Sequence, residues 1–321
     1  MRRSWALLLS LLLALPVACG EPLATPEPVF LRATGSTSLD PLVAELAIAF
    51  HEQVPLVELE VTGRGTEYGL AALRRGEVDL ALASSLPAAL DPGWRVTAIA
   101  RDAIAVVVHP SNPVAGLGLL QLQDLFSGRI YDWPGVGGKA AQGPVQPVSR
   151  EEGSGTRAVF EAVVMDGRRV TPLAVVALSS QAVVDYVAGH PNAIGYVSMG
   201  YLTPDVKALP IEGELPTPQT ANQGSYPLTR ELWLVSADPP SAAVQDLREF
   251  ALSPAGQQIK RDCLAGRSES QRDAFYYRRV HRISCSQLYL ILEISSIWTR
   301  DRRAINRRPG RPGVIGRARF A

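Results

Sequence analysis

Short apolar runs alternate with helical patterns from Val29 onward, and this alternation constrains the fold more than any other feature of the sequence. Residues 57–61 alternate between apolar and charged side chains, which is typical of a strand with one buried face. Residues 78–83 and 103–108 are almost continuously apolar, as expected of strands that are covered on both faces. A helical stripe at residues 39–50 lies between such runs. The pattern predicts an α/β fold with helices packed on a sheet.

The length of 321 residues favours two domains, and the pattern indicates where they divide. A strand pattern at residues 231–235 comes late in the chain and precedes a helical stripe at residues 244–250. This strand and helix allow the chain to return, near its end, to the domain where it began. We therefore predict a first lobe from residues 29–106 and 229–259, and a second lobe from residues 107–228.

Charge is divided unevenly along the chain. Residues 1–259 carry 17 Lys/Arg and 26 Asp/Glu, whereas residues 260–321 carry 15 Lys/Arg and 5 Asp/Glu. Residues 260–321 also lose the α/β periodicity, so we predict a poorly ordered basic tail there.

The N-terminus has the regions of a secretory signal. Arg2 and Arg3 precede an apolar run at residues 5–15, and small residues lead to Cys19. This arrangement resembles the bacterial lipoprotein box, although Pro16 stands where that box usually has leucine. The resemblance implies a signal peptide at residues 1–18 and a lipidated Cys19. Three prolines between residues 22 and 28 indicate that residues 19–28 form an extended tether. The alternative is an ordinary cleaved signal with an incidental cysteine. Either reading predicts export.

Cysteine and histidine are scarce. Cys19, Cys263 and Cys285 are too few and too scattered for a disulfide framework or a zinc site. The four histidines do not lie at metal-ligand spacings from one another. We therefore expect neither a metal nor a cofactor.

Three loops rich in glycine and hydroxyl side chains each precede a predicted helix. They are Gly35-Ser36-Thr37-Ser38, Gly63-Arg64-Gly65-Thr66 and Gly153-Ser154-Gly155-Thr156. The first amides of a helix have no internal acceptor and carry partial positive charge, so such a start favours anions. Each loop alone is more simply explained by a Ser or Thr that caps its helix. Three such loops, with Arg150 just before the third, point instead to an oxyanion site.

These motifs resemble those of the phosphate-binding component of bacterial phosphate ABC importers. The resemblance runs from about Val29 to about Gln258 and is carried most strongly by residues 150–157, Arg-Glu-Glu-Gly-Ser-Gly-Thr-Arg. It implies a two-lobe periplasmic-binding-protein fold of type II, with a ligand cleft between the lobes. It also implies a set of phosphate-binding residues: Thr37, Ser38, Thr66, Ser84, Arg150, Ser154, Gly155 and Thr156. Ser84 stands where some members of the family have an aspartate.

The implied partners are inorganic phosphate or a similar tetrahedral oxyanion, an ABC importer permease, and the membrane through the lipid anchor. We expect a monomer that binds no nucleic acid and catalyses no reaction. A phosphate sensor or adhesin on the same fold is an alternative that the sequence leaves open. A hydrolase with Ser154 or Thr37 as nucleophile is disfavoured, because residues 153–155 lack the spacing of a nucleophile elbow.

Overall fold

The computed structural model describes residues 27–138 and 143–265. The strands in these ranges are β1 (Val29–Gly35), β2 (Val57–Gly63), β3 (Leu80–Ala83), β4 (Trp94–Val108), β5 (Gln146–Arg150), β6 (Val175–Ala177), β7 (Ala193–Ser198), β8 (Lys207–Ala208) and β9 (Thr229–Ala237). The α-helices are α1 (Asp40–Gln53), α2 (Thr66–Arg74), α3 (Leu119–Ser127), α4 (Gly155–Phe160), α5 (Ser180–Gly189), α6 (Pro218–Gln223), α7 (Ala242–Leu252) and α8 (Pro254–Leu264). The predicted signal peptide, Cys19 and the tail from residue 266 lie outside the described residues.

Most predicted elements are confirmed where the pattern is strongly periodic. The strand predicted at residues 57–61 lies within β2, and the helix predicted at residues 39–50 corresponds to α1. Helix α3 ends at Gly128, whose positive φ of 80° gives the left-handed C-cap typical of glycine. Strand β4 begins at Trp94, well before the apolar run at residues 103–108. Its first part is less buried and carries polar residues, so it lacks the apolar signal of its second part.

The strands form one path in the order β2-β1-β3-β9-β4-β7-β5-β6, with β8 also paired to β4. Strands β1, β2 and β3 run parallel, and so do β5, β6 and β7. Strand β9 is antiparallel to both β3 and β4, and β4 is antiparallel to β7. We call the β1, β2, β3 and β9 side the first lobe and the β5, β6 and β7 side the second lobe.

Strand β4 connects the two lobes. It pairs with β9 up to Ala103 and with β7 from Ile104 onward. In this second part alternate side chains enter two different apolar clusters, Ile104 with Val106 in one and Ala105 with Val107 in the other. The prediction that this run is covered on both faces is therefore confirmed. The change of partner precedes the lobe boundary predicted at residue 106, and the lobe limits remain predictions.

The predicted start of the tail at residue 260 falls inside α8, which packs against α1. Cys263 and Leu264 in its last turn are buried, although the polar residues 260–262 directly precede them. Helix α8 thus extends past the predicted start of the tail. Within the part of the chain that the structure describes, no helix has the length and apolar character needed to cross a membrane.

Candidate functional site

The predicted site residues follow the carboxyl ends of parallel strands in both lobes. In the first lobe Thr37 follows β1, Thr66 follows β2 and Ser84 follows β3. In the second lobe Arg150 ends β5, and the glycine-rich third loop follows it. Open α/β sheets bind ligands at these strand ends, because the helix starts and their free amides gather there. The sheet directions therefore bring separate loops to one place.

The three loops predicted to open helices do so. A short 3-10 helix, Thr37–Leu39, leads from the first loop into α1, and Thr66 is the first residue of α2. Gly155 begins α4, where the Ser154 hydroxyl accepts a hydrogen bond from the Arg157 amide at 3.4 Å. The side chain of Ser154 thus has the capping role weighed as the simpler explanation for such loops.

The hydroxyl groups of the first lobe form a connected, buried network. Ser84 Oγ lies 2.7 Å from Ser36 Oγ and 3.3 Å from Thr66 Oγ1. The Ser84 amide also donates to Thr66 Oγ1 at 3.2 Å. Ser84 is completely buried and Thr66 is 1% exposed. Since a hydroxyl both donates and accepts, this network can rotate its protons to suit the oxygens of a ligand.

Residues of the two lobes meet directly at this network. Thr37 Oγ1 accepts a hydrogen bond from Arg150 Nη2 at 3.2 Å, and Ser38 Oγ lies 2.8 Å from Thr156 Oγ1. The Glu67 amide at the start of α2 donates to the Gly153 carbonyl oxygen at 3.2 Å. All three contacts join the first lobe to residues 150–156, so the end of β5 and the start of α4 lie against the first lobe.

Gly155 allows this close approach. A Cβ atom at this position would lie 2.5 Å from Thr66 Oγ1, 2.6 Å from Ser84 Oγ and 2.8 Å from Ser85 Oγ. These distances are shorter than real carbon contacts, so the absence of a side chain lets α4 rest against the first lobe.

Arg150 brings a positive charge to the site, and its side chain is only 2% exposed. Nη1 donates to Ser180 Oγ at 3.2 Å, while Nε and Nη2 donate to the Glu151 carboxylate at 2.8 and 2.7 Å. The bidentate pair with Glu151 fixes the plane of the guanidinium and offsets its charge. The other hydrogen-bond donors near Arg150 are largely hydroxyl groups and backbone amides.

Tyr196 supports the backbone of Arg150. Its phenol oxygen accepts from the Arg150 amide at 3.3 Å and lies 2.8 Å from Ser149 Oγ. Burial raises the pKa of Tyr196 to about 12, so the phenol stays neutral near pH 7. The ring of Tyr196 stacks on Phe160 of α4 with centroids 4.0 Å apart. One aromatic pair therefore holds both the end of β5 and the helix that follows it.

Comparison with known proteins identifies the family to which the chain belongs. Residues 22–255 match the family model of the PBP superfamily domain. The Phosphate-binding protein PstS of Bacillus subtilis (strain 168) is 32% identical over 204 residues, which cover 62% of this chain and 67% of the relative. This chain belongs to the PstS family.

Solved structures of PstS-like proteins share the fold. A structure from Clostridium perfringens, described as a phosphate ABC transporter substrate-binding protein with bound phosphate, matches with a TM-score of 0.67 and 31% identity over 72% of this chain and 96% of that one. An ABC-type phosphate transport receptor from Vibrio cholerae matches with a TM-score of 0.60 and 28% identity over 71% and 96% of the two chains. The predicted type II two-lobe fold, with its cleft between the lobes, is confirmed.

Several polar residues of the candidate site were not predicted from the sequence. Ser180 at the start of α5 lies 3.2 Å from Thr37 Oγ1, and the Tyr201 hydroxyl donates to the Thr37 carbonyl oxygen at 2.6 Å. Ser36, which was part of the predicted first loop but not of the predicted phosphate-binding set, contacts Ser84. Ser179-Ser180 before a helical pattern was a usable signal for Ser180, because it repeats the hydroxyl-rich helix start of the other loops.

Arg230 was also missed. It lies on β9, and its Nη1 donates to Thr156 Oγ1 at 2.9 Å. Nε and Nη2 donate to Asp102 Oδ2 at 3.0 and 2.8 Å. A single arginine near the start of a strand carries no local signal for a site, since only the tertiary structure brings β9 beside α4.

Proposed function

We propose that this chain captures inorganic phosphate between its two lobes and delivers it, as an exported monomer, to an ABC importer. The observation that carries the proposal is one buried cluster of hydroxyl side chains, from Thr37, Ser38, Thr66, Ser84 and Thr156, in which Thr37 is hydrogen-bonded to Arg150. These residues come from both lobes and from four separate strand ends. The bound phosphate of the Clostridium perfringens protein and the names of the PstS relatives support phosphate as the ligand.

The chemistry of the site suits a dehydrated oxyanion. Hydroxyls and helix-start amides offer donors in several directions, and Arg150 adds charged donors. Glu151 offsets the charge of Arg150, and Asp102 offsets that of Arg230. The anion would therefore be held mainly by oriented dipoles. In this proposal the cross-lobe hydrogen bonds are exchanged for bonds to phosphate as the lobes open and close on β4 and β9.

Titration calorimetry with phosphate and sulfate tests the ligand. We expect saturable binding of one phosphate per chain and sulfate binding weaker by roughly tenfold, about the value of one hydrogen bond. The reason is that hydrogen phosphate has an O–H group that can donate a hydrogen bond to Ser84 Oγ, whereas sulfate has none. Nitrate, which is planar, serves as the control anion. Absence of any saturable heat with phosphate would contradict the proposal.

The N-terminal sequence supports export and anchoring through a lipid on Cys19, as in the lipoprotein box that residues 16–19 resemble. We expect the intact mass of the protein, purified from membranes of its source, to correspond to a chain beginning at Cys19 with attached acyl groups. A Cys19→Ser variant serves as the control and should lose the added mass. A wild-type mass equal to the unmodified chain would contradict anchoring. The same spectrum shows whether residues 266–321 are retained in the mature protein.

Two alternatives make different predictions. A sensor or adhesin would bind phosphate equally well, but deletion of its gene would leave phosphate uptake unchanged. A hydrolase would need a base beside its nucleophile. The described histidines bond elsewhere, His51 to the Val57 carbonyl oxygen, His109 to Ser111 and His190 to the Tyr186 carbonyl oxygen.

A further inference from the structure

We infer that Arg230 is a positioning residue for the anion site and that it acts through the hydroxyl group of Thr156. The inference rests on the proposed binding of phosphate, and it assigns a role to a residue outside the loops that the sequence pointed to. Arg230 would fix which way the Thr156 proton points, and so would make Thr156 a dedicated donor.

Arg230 is held in one orientation by Asp102. The two residues stand directly opposite each other on β9 and β4. Nε and Nη2 of Arg230 both donate to Asp102 Oδ2, and the side chains are 2% and 0% exposed. Asp102 Oδ1 accepts from the Ser198 hydroxyl at the end of β7 at 2.8 Å. A guanidinium held at two of its nitrogens has little freedom, so the direction of its third nitrogen is set.

That third nitrogen, Nη1, points at Thr156 Oγ1 from 2.9 Å. The hydroxyl oxygen of Thr156 therefore accepts a charged hydrogen bond, and its single proton must point elsewhere. Ser38 Oγ of the first lobe lies 2.8 Å away on the same network. Accepting from a cation also polarises the hydroxyl and makes it a better donor. Thr156 is thus prepared to donate toward the cleft, where the anion would lie.

Stability alone does not account for this pair. Removing two charges from water is costly, and buried ion pairs are often no more stabilising than apolar side chains of similar size. Burial raises the pKa of Asp102, while Arg230 and Ser198 act in the opposite direction. The hydrogen bond from Arg230 to Thr156 gives the Asp102–Arg230 pair a role in orienting a site residue.

The position of the pair links the site to the strands that connect the lobes. The last pair between β4 and β9 is Ala103 with Thr229, next to Asp102 and Arg230. From Ile104 onward β4 pairs with β7 instead. Arg230 reaches α4, and Asp102 reaches Ser198 at the end of β7, so both contacts extend into the second lobe. The residues that orient the Thr156 hydroxyl therefore lie on β4 and β9, the strands about which the lobes would move.

A double-mutant cycle with phosphate titration tests this role. The double variant Arg230→Met/Asp102→Asn removes both charges together, which avoids leaving one buried charge unpaired. We expect about a tenfold loss of phosphate affinity from it, the value of one hydrogen bond. Thr156→Val alone should also weaken binding. Combined with Thr156→Val, the double variant should cause little further loss, because both changes remove the same donor. Arg230→Lys should retain part of the affinity.

The neighbouring pair Arg101–Glu231 gives a matched control. It joins the same two strands at the adjacent register position but is about 40% exposed, with atoms 3.6 Å apart. Arg101→Met/Glu231→Gln should leave phosphate affinity unchanged, and thermal unfolding verifies that every variant is folded.

The outcomes separate this inference from the proposed function. Wild-type protein that binds no phosphate would refute both. If the wild type binds phosphate and Arg230→Met/Asp102→Asn binds it equally well, only the role of Arg230 is refuted. The combined variant could instead lose phosphate affinity by the product of the two separate losses, those of Arg230→Met/Asp102→Asn and of Thr156→Val. That result would show that Arg230 does not act through this hydroxyl.

Discussion

Replacing Arg150 with alanine is expected to weaken phosphate binding by on the order of 100-fold or more, because it removes two charged hydrogen-bond donors from a buried site. In the structure these donors face Thr37 and Ser180. The change also leaves the Glu151 carboxylate without its partner and close to the anion, which adds repulsion. Titration calorimetry of the folded variant measures the loss.

Two further variants make the Arg150 prediction specific. Arg150→Lys should bind with intermediate affinity, since lysine keeps the charge but cannot form the same bidentate contact with Glu151. Arg75→Ala removes an exposed arginine that pairs with Glu77, and it should bind phosphate as the wild type does. Undiminished affinity in Arg150→Ala would mean that the anion site lies elsewhere.

Gly155→Ala is expected to reduce phosphate affinity by about tenfold or more, because overpacking of this size costs roughly 1–3 kcal/mol. The added methyl group would lie within 2.6 Å of the hydroxyl oxygens of Thr66 and Ser84. Those oxygens belong to the other lobe, so the clash arises when α4 closes onto the first lobe. The penalty should therefore fall on the closed, ligand-holding form.

The matched control for Gly155→Ala is Gly189→Ala. Gly189 is the last residue of α5, and a Cβ atom there would meet no other atom within 4 Å. We expect unchanged phosphate affinity in this variant. Gly155→Ala with wild-type affinity would show that the close approach of α4 to Thr66 and Ser84 is not needed for binding.

Local sequence determined many of the helices and strands, and it determined which loops carry the site residues. Hydrophobic periodicity predicted α1, β2 and the apolar second part of β4, because burial on one or both faces leaves a direct pattern in the chain. The glycine-hydroxyl loops and Arg150 were also visible, since helix starts and anion contacts need these residue types at short spacing. The first part of β4 and the extent of α8 were not recognised, because polar residues interrupt their patterns.

The tertiary structure decided which side chains meet. Asp102 and Arg230 are 128 residues apart, and Thr37 and Ser180 are 143 residues apart. Neither pair leaves a local signal, because each contact depends on strand order and on how α4 and α5 approach the first lobe. The loops that carry the hydroxyl groups could be predicted from the sequence. The direction in which Thr156 points its proton is set only by the packing of β9 beside α4.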